Sequence, residues 1–102
     1  MADKADDSKY LWQEKTSDGH TRFGLNDVAR EEIGEVSFAS FPDNLTEVQK
    51  GDPVFSFEGQ KAVTEVHTPV AGKVAKLNTN LTDRPSLVGD PDKSKNWIAE
   101  IY

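Results

Sequence analysis

The stretch VFSFEGQKAVTEVHTPVAGKV, residues 54–74, decides the expected fold. Apolar and polar residues alternate in VFSFE and again in KAVTEV, which is the pattern of half-buried strands. Gly59 and Gln60 separate the two runs, and two strands joined by such a short glycine-containing turn predict a β-hairpin. Pro69 and Gly72 then turn the chain into a third alternating run, KVAKL. The stretch therefore predicts antiparallel sheet, with Lys61 exposed at a hairpin tip.

The rest of the chain consists mainly of short apolar runs bounded by turn residues. Such runs predict further strands at residues 10–15, 20–25, 35–41 and 97–102. Asn26 and Asp27 are good N-cap residues, so one short helix is predicted at residues 26–33. Residues 78–96 are rich in Asp, Pro, Ser and Asn and predict mostly loop, with one helical turn near residues 85–88. The fold class is mainly β.

Two short sequences occur twice and suggest an architecture for these strands. The triplets NLT and GDP stand at residues 44–46 and 51–53, and again at 80–82 and 89–91. Chance is the alternative, because turns commonly use these residues. A true duplication predicts two similar β halves, packed about a pseudo-twofold axis into a flattened sandwich or barrel. The expected core residues are Trp12, Phe23, Leu25, Val28, Ile33, Val36, Phe38, Val63, Val70, Val74 and Ile98.

Length and charge exclude several classes of protein. A chain of 102 residues predicts one domain, at residues 9–102. Twelve Lys and Arg against eighteen Asp and Glu give a net charge of −6, which disfavours nucleic acid and anionic membranes as partners. The acidic start MADKADDSK does not resemble a secretory signal and predicts a disordered segment at residues 1–8 of a cytoplasmic protein. No segment is apolar enough to require a partner, so a monomer is expected.

Residues suited to catalysis are few. The chain has no Cys, which excludes thiol nucleophiles and thiolate metal sites, and no glycine-rich phosphate loop. His20 and His67 lie far apart on expected strands, where structural roles are the simpler interpretation. The sequence therefore predicts neither an enzyme nor a metal site. Lys61 is the residue that its position singles out, although eight other lysines make an ordinary surface lysine the alternative.

The residues around Lys61 resemble a known family. EGQKAV, which contains Glu58, Gly59, Gln60 and Ala62, is followed by HTPVAGKV and is similar to the lipoyl-attachment region of the H protein of the glycine cleavage system. The resemblance implies a lipoyl/biotinyl-type flattened β-barrel, also called a barrel-sandwich hybrid, and covalent lipoate on Lys61. It also implies a carrier protein that is not an enzyme. The similarity extends over residues 23–42, 48–54 and 96–101.

Two departures from the family pattern affect the expected partners. Tyr10, Leu11 and Trp12 stand where typical H proteins have His-Glu-Trp, and Tyr102 stands where they usually continue into a C-terminal helix. The chain therefore resembles short H-like proteins that some bacteria keep beside lipoate ligase, sirtuin and macrodomain proteins. Lipoate ligase is an implied partner. The others are either glycine decarboxylase and aminomethyltransferase, for aminomethyl transfer, or the sirtuin and macrodomain proteins, for a lipoate relay.

Three further interpretations stay open at this point. The sirtuin association makes Asp27 a candidate for ADP-ribosylation, although a carboxylate there also stabilises the helix N-terminus. A biotin carrier would share the fold, but such carriers resemble Ala-Met-Lys-Met, whereas Gln60 and Ala62 flank Lys61 here. The chain could also be an unmodified interaction domain.

Overall fold

The computed structural model describes residues 8–61 and 63–102. The predicted disordered start therefore lies, apart from Ser8, outside the described residues. The described part forms two antiparallel sheets, one of five strands in the order β1-β2-β8-β7-β4 and one of three in the order β3-β5-β6. The strands are β1 (Leu11–Lys15), β2 (Thr21–Leu25), β3 (Val36–Ser40), β4 (Glu47–Val48), β5 (Pro53–Gly59), β6 (Val63–His67), β7 (Gly72–Leu77) and β8 (Trp97–Ile101).

The mainly β prediction is confirmed, and each strand expected from the alternating runs is present. The short strand β4 was not expected, because two residues are too few to show a pattern. A closed barrel does not form among the described residues. β1 and β4 are the edges of the larger sheet, and β3 and β6 are the edges of the smaller one. The predicted flattened sandwich or barrel is thus confirmed as two antiparallel sheets around one core, without closure into a barrel among the described residues.

The predicted short helix is α1 (Asp27–Ile33). Asn26 caps it, since its side-chain oxygen accepts a hydrogen bond from the Ala29 backbone N–H at 3.1 Å. At seven residues it is the longest helix in the described part, where no helix is long and apolar enough to cross a membrane. Gly34 ends it with φ of 68°, in the left-handed region that favours glycine.

The segment expected to be mostly loop is more ordered than predicted. The helical turn predicted near residues 85–88 is confirmed as a 3₁₀ turn at Pro85–Gly89. One-turn helices precede and follow it, α2 (Asn80–Asp83) and α3 (Lys93–Asn96). Asp92 caps α3, because its carboxylate accepts a hydrogen bond from the Ser94 backbone N–H at 2.9 Å. Helices of one turn are too short to give a periodic apolar pattern.

The core lies between the two sheets and is only partly the one expected. Phe23, Leu25, Val36 and Ile98 are buried as predicted, at 0 to 4% exposure. The buried residues that were not predicted include Leu11, Val54, Phe55, Phe57, Val66, Leu81 and Val88. Four further residues of the expected core are only half-buried, namely Trp12, Ile33, Val70 and Val74. One core cluster contains residues of both sheets.

Three expected core residues are exposed, and the prediction was wrong for each. Val28 is 53% exposed, because α1 turns Ala29 rather than Val28 towards the core. Phe38 is 60% exposed, because the register of β3 with β5 shifts between Val36 and Phe38. Val63 is 72% exposed, because it lies on the outer face of the smaller sheet.

The repeated triplets have different local structures. Asn44 lies in a turn with φ of 58°, whereas Asn80 is the first residue of α2. Gly51 has φ of 89°, whereas Gly89 ends a 3₁₀ turn without a positive φ. The sequence repeat is therefore not accompanied by a repeat of local structure.

Candidate functional site

Lys61 is exposed at the tip of the hairpin formed by β5 and β6. The last pair of the ladder joins Glu58 to Val63, and the chain reverses between them. Phe55 and Phe57 anchor β5, since their side chains are 1 and 2% exposed within the core. The buried side chains of β5 therefore support the turn in which Lys61 is exposed.

The C-terminal end of α1 packs against the hairpin beside its tip. A Cβ atom on Gly59 would lie 2.7 Å from the Ile33 carbonyl oxygen, closer than real contacts allow. A Cβ atom on Gly34 would lie 2.7 Å from the Gln60 side-chain oxygen. Glycine at both positions thus permits a close approach of helix and hairpin. This contact fixes α1 next to Lys61.

A surface groove of about 290 Å³ lies beside Lys61. The hairpin, α1 and the end of β2 form it, and Tyr10 closes one side. Its apolar lining comprises Tyr10, Leu25, Ala29, Ile33, Phe57 and Val66. Its polar lining comprises Glu32, Thr64, Glu65 and Lys61 itself. The groove offers a mainly apolar surface next to an exposed primary amine.

The structure brings the hairpin residues of the predicted site together. Glu58, the penultimate residue of β5, and Gln60, in the turn, are both exposed. Gly59 is the last residue of β5 and contacts α1 as described. Ala62, which the sequence motif also includes, lies outside the described residues. The groove was not predicted, because its lining comes from distant segments and the sequence carries no signal for their meeting.

Asp27 occupies the first turn of α1, and its side chain is 87% exposed. Its carboxylate pairs with the Arg30 guanidinium, which also donates a hydrogen bond to the Leu25 carbonyl oxygen at 2.9 Å. Asp27 does not line the groove, so the structure does not join it to the Lys61 site.

The two histidines have separate surroundings. His20 Nδ1 lies 3.4 Å from a Glu100 carboxylate oxygen, and the His20 ring stacks on Tyr102 with centroids 5.0 Å apart. His67 Nε2 lies 3.0 Å from a Glu65 carboxylate oxygen. No group of three or more metal-binding side chains occurs within residues 8–61 and 63–102. Each histidine therefore takes part in a local polar contact.

Fold and site together define a small two-sheet β protein that presents a lysine at a hairpin tip beside an apolar groove. The family model described as "Glycine cleavage H-protein" matches residues 4–102. The chain therefore belongs to the glycine cleavage H-protein family. Members of this family are lipoyl carriers rather than enzymes and hold lipoate covalently on a lysine.

Relatives in several domains of life share this similarity. A "Probable glycine cleavage system H protein" of Thermococcus kodakarensis is 38% identical over 90 residues, 88% of this chain and 66% of the relative. The "Glycine cleavage system H protein" of Oceanobacillus iheyensis is 37% identical over 85% of this chain and 69% of the relative. The mitochondrial H protein of Drosophila melanogaster is 34% identical over 92% of this chain and 57% of the relative. The sequence alone associated the chain with bacterial proteins, but these relatives also include an archaeal and an animal protein.

A solved structure supports the fold. The crystal structure of a glycine cleavage system H protein from Mycobacterium marinum superposes with a TM-score of 0.77 at 24% sequence identity. The match covers 92% of this chain and 78% of that one. The chain thus spans most of the neighbour, but just under two thirds of the length of the archaeal relative above.

Proposed function

We propose that Lys61 is the attachment site of lipoate and that the protein acts as a lipoyl carrier. The observation that carries this proposal is the exposed Lys61 at the tip of a hairpin whose base is buried. Amide formation requires a reachable amine in a fixed position, and the hairpin supplies both. The family assignment supports the same function.

The surroundings of Lys61 suit a lipoyl group. Its hydrocarbon chain would bury apolar surface against Ile33, Phe57 and Val66 in the adjacent groove. When bound, lipoate supplies a dithiolane that accepts electrons and carries a small fragment between enzymes. The chain contributes no Cys, so none of its own thiols can exchange with that disulfide. The hairpin exposes Lys61, and the groove offers apolar surface within its neighbourhood.

Replacement of Lys61 by Arg tests the attachment site. Arg keeps the positive charge, but its guanidinium stays protonated and does not accept the acyl group. Incubation of Lys61→Arg with lipoate, ATP and a lipoate ligase should leave its intact mass unchanged, whereas the wild type gains one lipoyl group. Lys50→Arg is the matched control, because Lys50 is also an exposed turn lysine but precedes β5 instead of following it. Lipoylation of Lys61→Arg, or its loss in folded Lys50→Arg, would show that the site is misassigned.

The same mass measurement on protein from its own host separates the other interpretations. Biotin and lipoate add different masses, and an unmodified interaction domain shows neither. The family match favours lipoate over biotin. Aminomethyl transfer is the proposed role within lipoyl carriers, because the names of the relatives refer to glycine cleavage. Lipoylated protein that accepts no aminomethyl group from glycine and glycine decarboxylase would instead support the lipoate relay with sirtuin and macrodomain partners.

ADP-ribosylation of Asp27 is the finer part of the relay proposal. The carboxylate is exposed enough to reach a modifying enzyme, although its pairing with Arg30 and its place in the first turn give it a structural role as well. Lipoylated wild type and Asp27→Asn would be incubated with a sirtuin and nicotinamide adenine dinucleotide, with Glu31→Gln as the control on the same helix. Loss of label only in Asp27→Asn supports the proposal, and equal labelling of all three excludes Asp27.

A further inference from the structure

The outer face of the smaller sheet carries two exposed apolar side chains near Lys61. Phe38 on β3 is 60% exposed, and Val63 on β6 is 72% exposed. Glu58 of β5 lies between them, because it pairs with Phe38 on one side and with Val63 on the other. Neighbouring strands lie about 4.8 Å apart, so the three residues form a row about 10 Å wide. We call it the Phe38–Val63 row.

An irregularity in β3 exposes Phe38. The pairing of β3 with β5 shifts between Val36 and Phe38, so Ser37 and Phe38 are both exposed while Val36 and Ala39 are buried. Such bulges change the direction in which a side chain points. A regular strand would have placed Phe38 on the same face as Val36, inside the core. The bulge therefore moves a large aromatic ring out of the core and into the row.

The row lies on the face of the hairpin opposite three groove residues, whereas the groove residue Glu65 shares the face of Val63 at the edge of the sheet. Phe57, Thr64 and Val66 line the groove. They alternate along the strands with Glu58 and Val63, and successive side chains of a strand point to opposite faces. A protein bound on the row therefore leaves Phe57, Thr64 and Val66 uncovered for the lipoyl chain.

We infer that the Phe38–Val63 row is the docking surface for the enzyme that attaches lipoate to Lys61. This inference rests on the proposed function. The attaching enzyme must bring its activated acyl carbon to Lys61 Nζ, so it has to cover the hairpin tip. The row begins at the last pair of the hairpin ladder, directly below that tip. An enzyme that acts on the dithiolane works at the far end of the arm and does not need this surface.

The composition of the row defines the chemistry of its partner. An apolar partner surface would cover Phe38 and Val63, and an Arg or Lys between them would face the exposed Glu58 carboxylate. The net charge of the chain, −6, adds a long-range attraction towards a basic surface. The partner is thus an attaching enzyme with a cationic residue set in an apolar patch beside its active site.

Steady-state lipoylation measures the contribution of the row. Phe38→Thr, Val63→Thr and the double variant place Thr, a β-branched residue suited to strands, at two exposed positions, so the fold should be retained. With ATP, lipoate and a lipoate ligase, the double variant should raise KM for the carrier about tenfold, with kcat changed less than about twofold. Val28→Thr is the matched control, since Val28 is a similarly exposed apolar residue, 53% exposed, that lies on α1 and not in the row, and the KM of this variant should stay unchanged.

The outcomes of these measurements decide whether the row is the docking surface of the attaching enzyme. If KM is unchanged in the double variant while Lys61→Arg still takes up no lipoate, the row is not the docking surface. The assignment of Lys61 as the attachment site is then unaffected. Wild-type protein that gains no lipoyl group at Lys61 overturns both proposals. Normal loading of the double variant, together with failed aminomethyl transfer from glycine decarboxylase, would assign the row to that enzyme and overturn the inference. Equal thermal unfolding midpoints for all variants exclude an effect of misfolding.

Discussion

Glu100 is a buried carboxylate on β8, with its side chain 2% exposed. Arg22 donates to one carboxylate oxygen from Nε at 2.9 Å and from Nη2 at 2.6 Å, and its guanidinium lies 5.0 Å from the Trp97 ring centre. Burial alone would raise the pKa of Glu100. The hydrogen bonds and charge of Arg22, with smaller contributions from His20 and Lys76, outweigh burial and hold that pKa below its ordinary value.

Replacement of Glu100 by Gln should make the protein less stable in a pH-dependent way. Because the folded pKa is lowered, the carboxylate stabilises the fold above the ordinary Glu pKa, and this stabilisation is lost as pH falls through the folded pKa. At pH 7 the free energy of unfolding should drop by about 1.5 to 3 kcal/mol, towards the lower figure because Arg22 is 35% exposed. Urea unfolding of both proteins at pH 7 and at about pH 3 measures it.

The exposed pair of Glu14 and Lys93 supplies the control for this experiment. Their side chains are 50 and 54% exposed at a distance of 2.8 Å, so Glu14→Gln should cost less than about 1 kcal/mol. If Glu100→Gln lowered the free energy of unfolding by the same amount at both pH values, the charge of Glu100 would not have the role assigned to it.

At the scale of elements, the contact between α1 and the hairpin depends on Gly59. A Cβ atom there would meet the Ile33 carbonyl oxygen, so Gly59→Ala should push the end of α1 away and destabilise the protein by about 1 to 3 kcal/mol. Gly89→Ala is the control, because nothing lies within 4 Å of a Cβ at Gly89 and its φ is not positive. Thermal unfolding and backbone amide shifts of residues 33 and 34 measure the effect. Equal midpoints for the two variants would exclude the close contact as a constraint.

The elements also show how far the sequence alone could predict this molecule. Alternation places a strand at β3 but assigns Val36 and Phe38 to one face, since it assumes a period of two. The bulge breaks that period, and the core then takes Val36 and Ala39. The sequence shows neither the bulge nor the groove, because both depend on pairing partners from distant segments. Lys61 was correctly placed at a hairpin tip because its turn is local.

At the scale of the whole molecule, the two sheets depend on a shared core. Phe23 and Ile98 of the larger sheet and Phe55 and Phe57 of the smaller one belong to a single buried cluster. Neither sheet can keep its inner face out of water without the other, since that face is apolar. The position of the Lys61 hairpin is therefore held by residues on the opposite sheet as well as by its own.

The shared core predicts that both sheets unfold together. The two tryptophans lie on the larger sheet, Trp12 on β1 and Trp97 on β8, so tryptophan fluorescence reports its unfolding. Amide exchange in β5 and β6 reports the smaller sheet. Both signals should give the same urea midpoint, and Phe23→Ala should lower both midpoints equally through a loss of about 3 to 5 kcal/mol. Loss of β5 and β6 protection at lower urea than the tryptophan transition would mean that the hairpin unfolds separately, and the larger sheet would then not hold Lys61 in place.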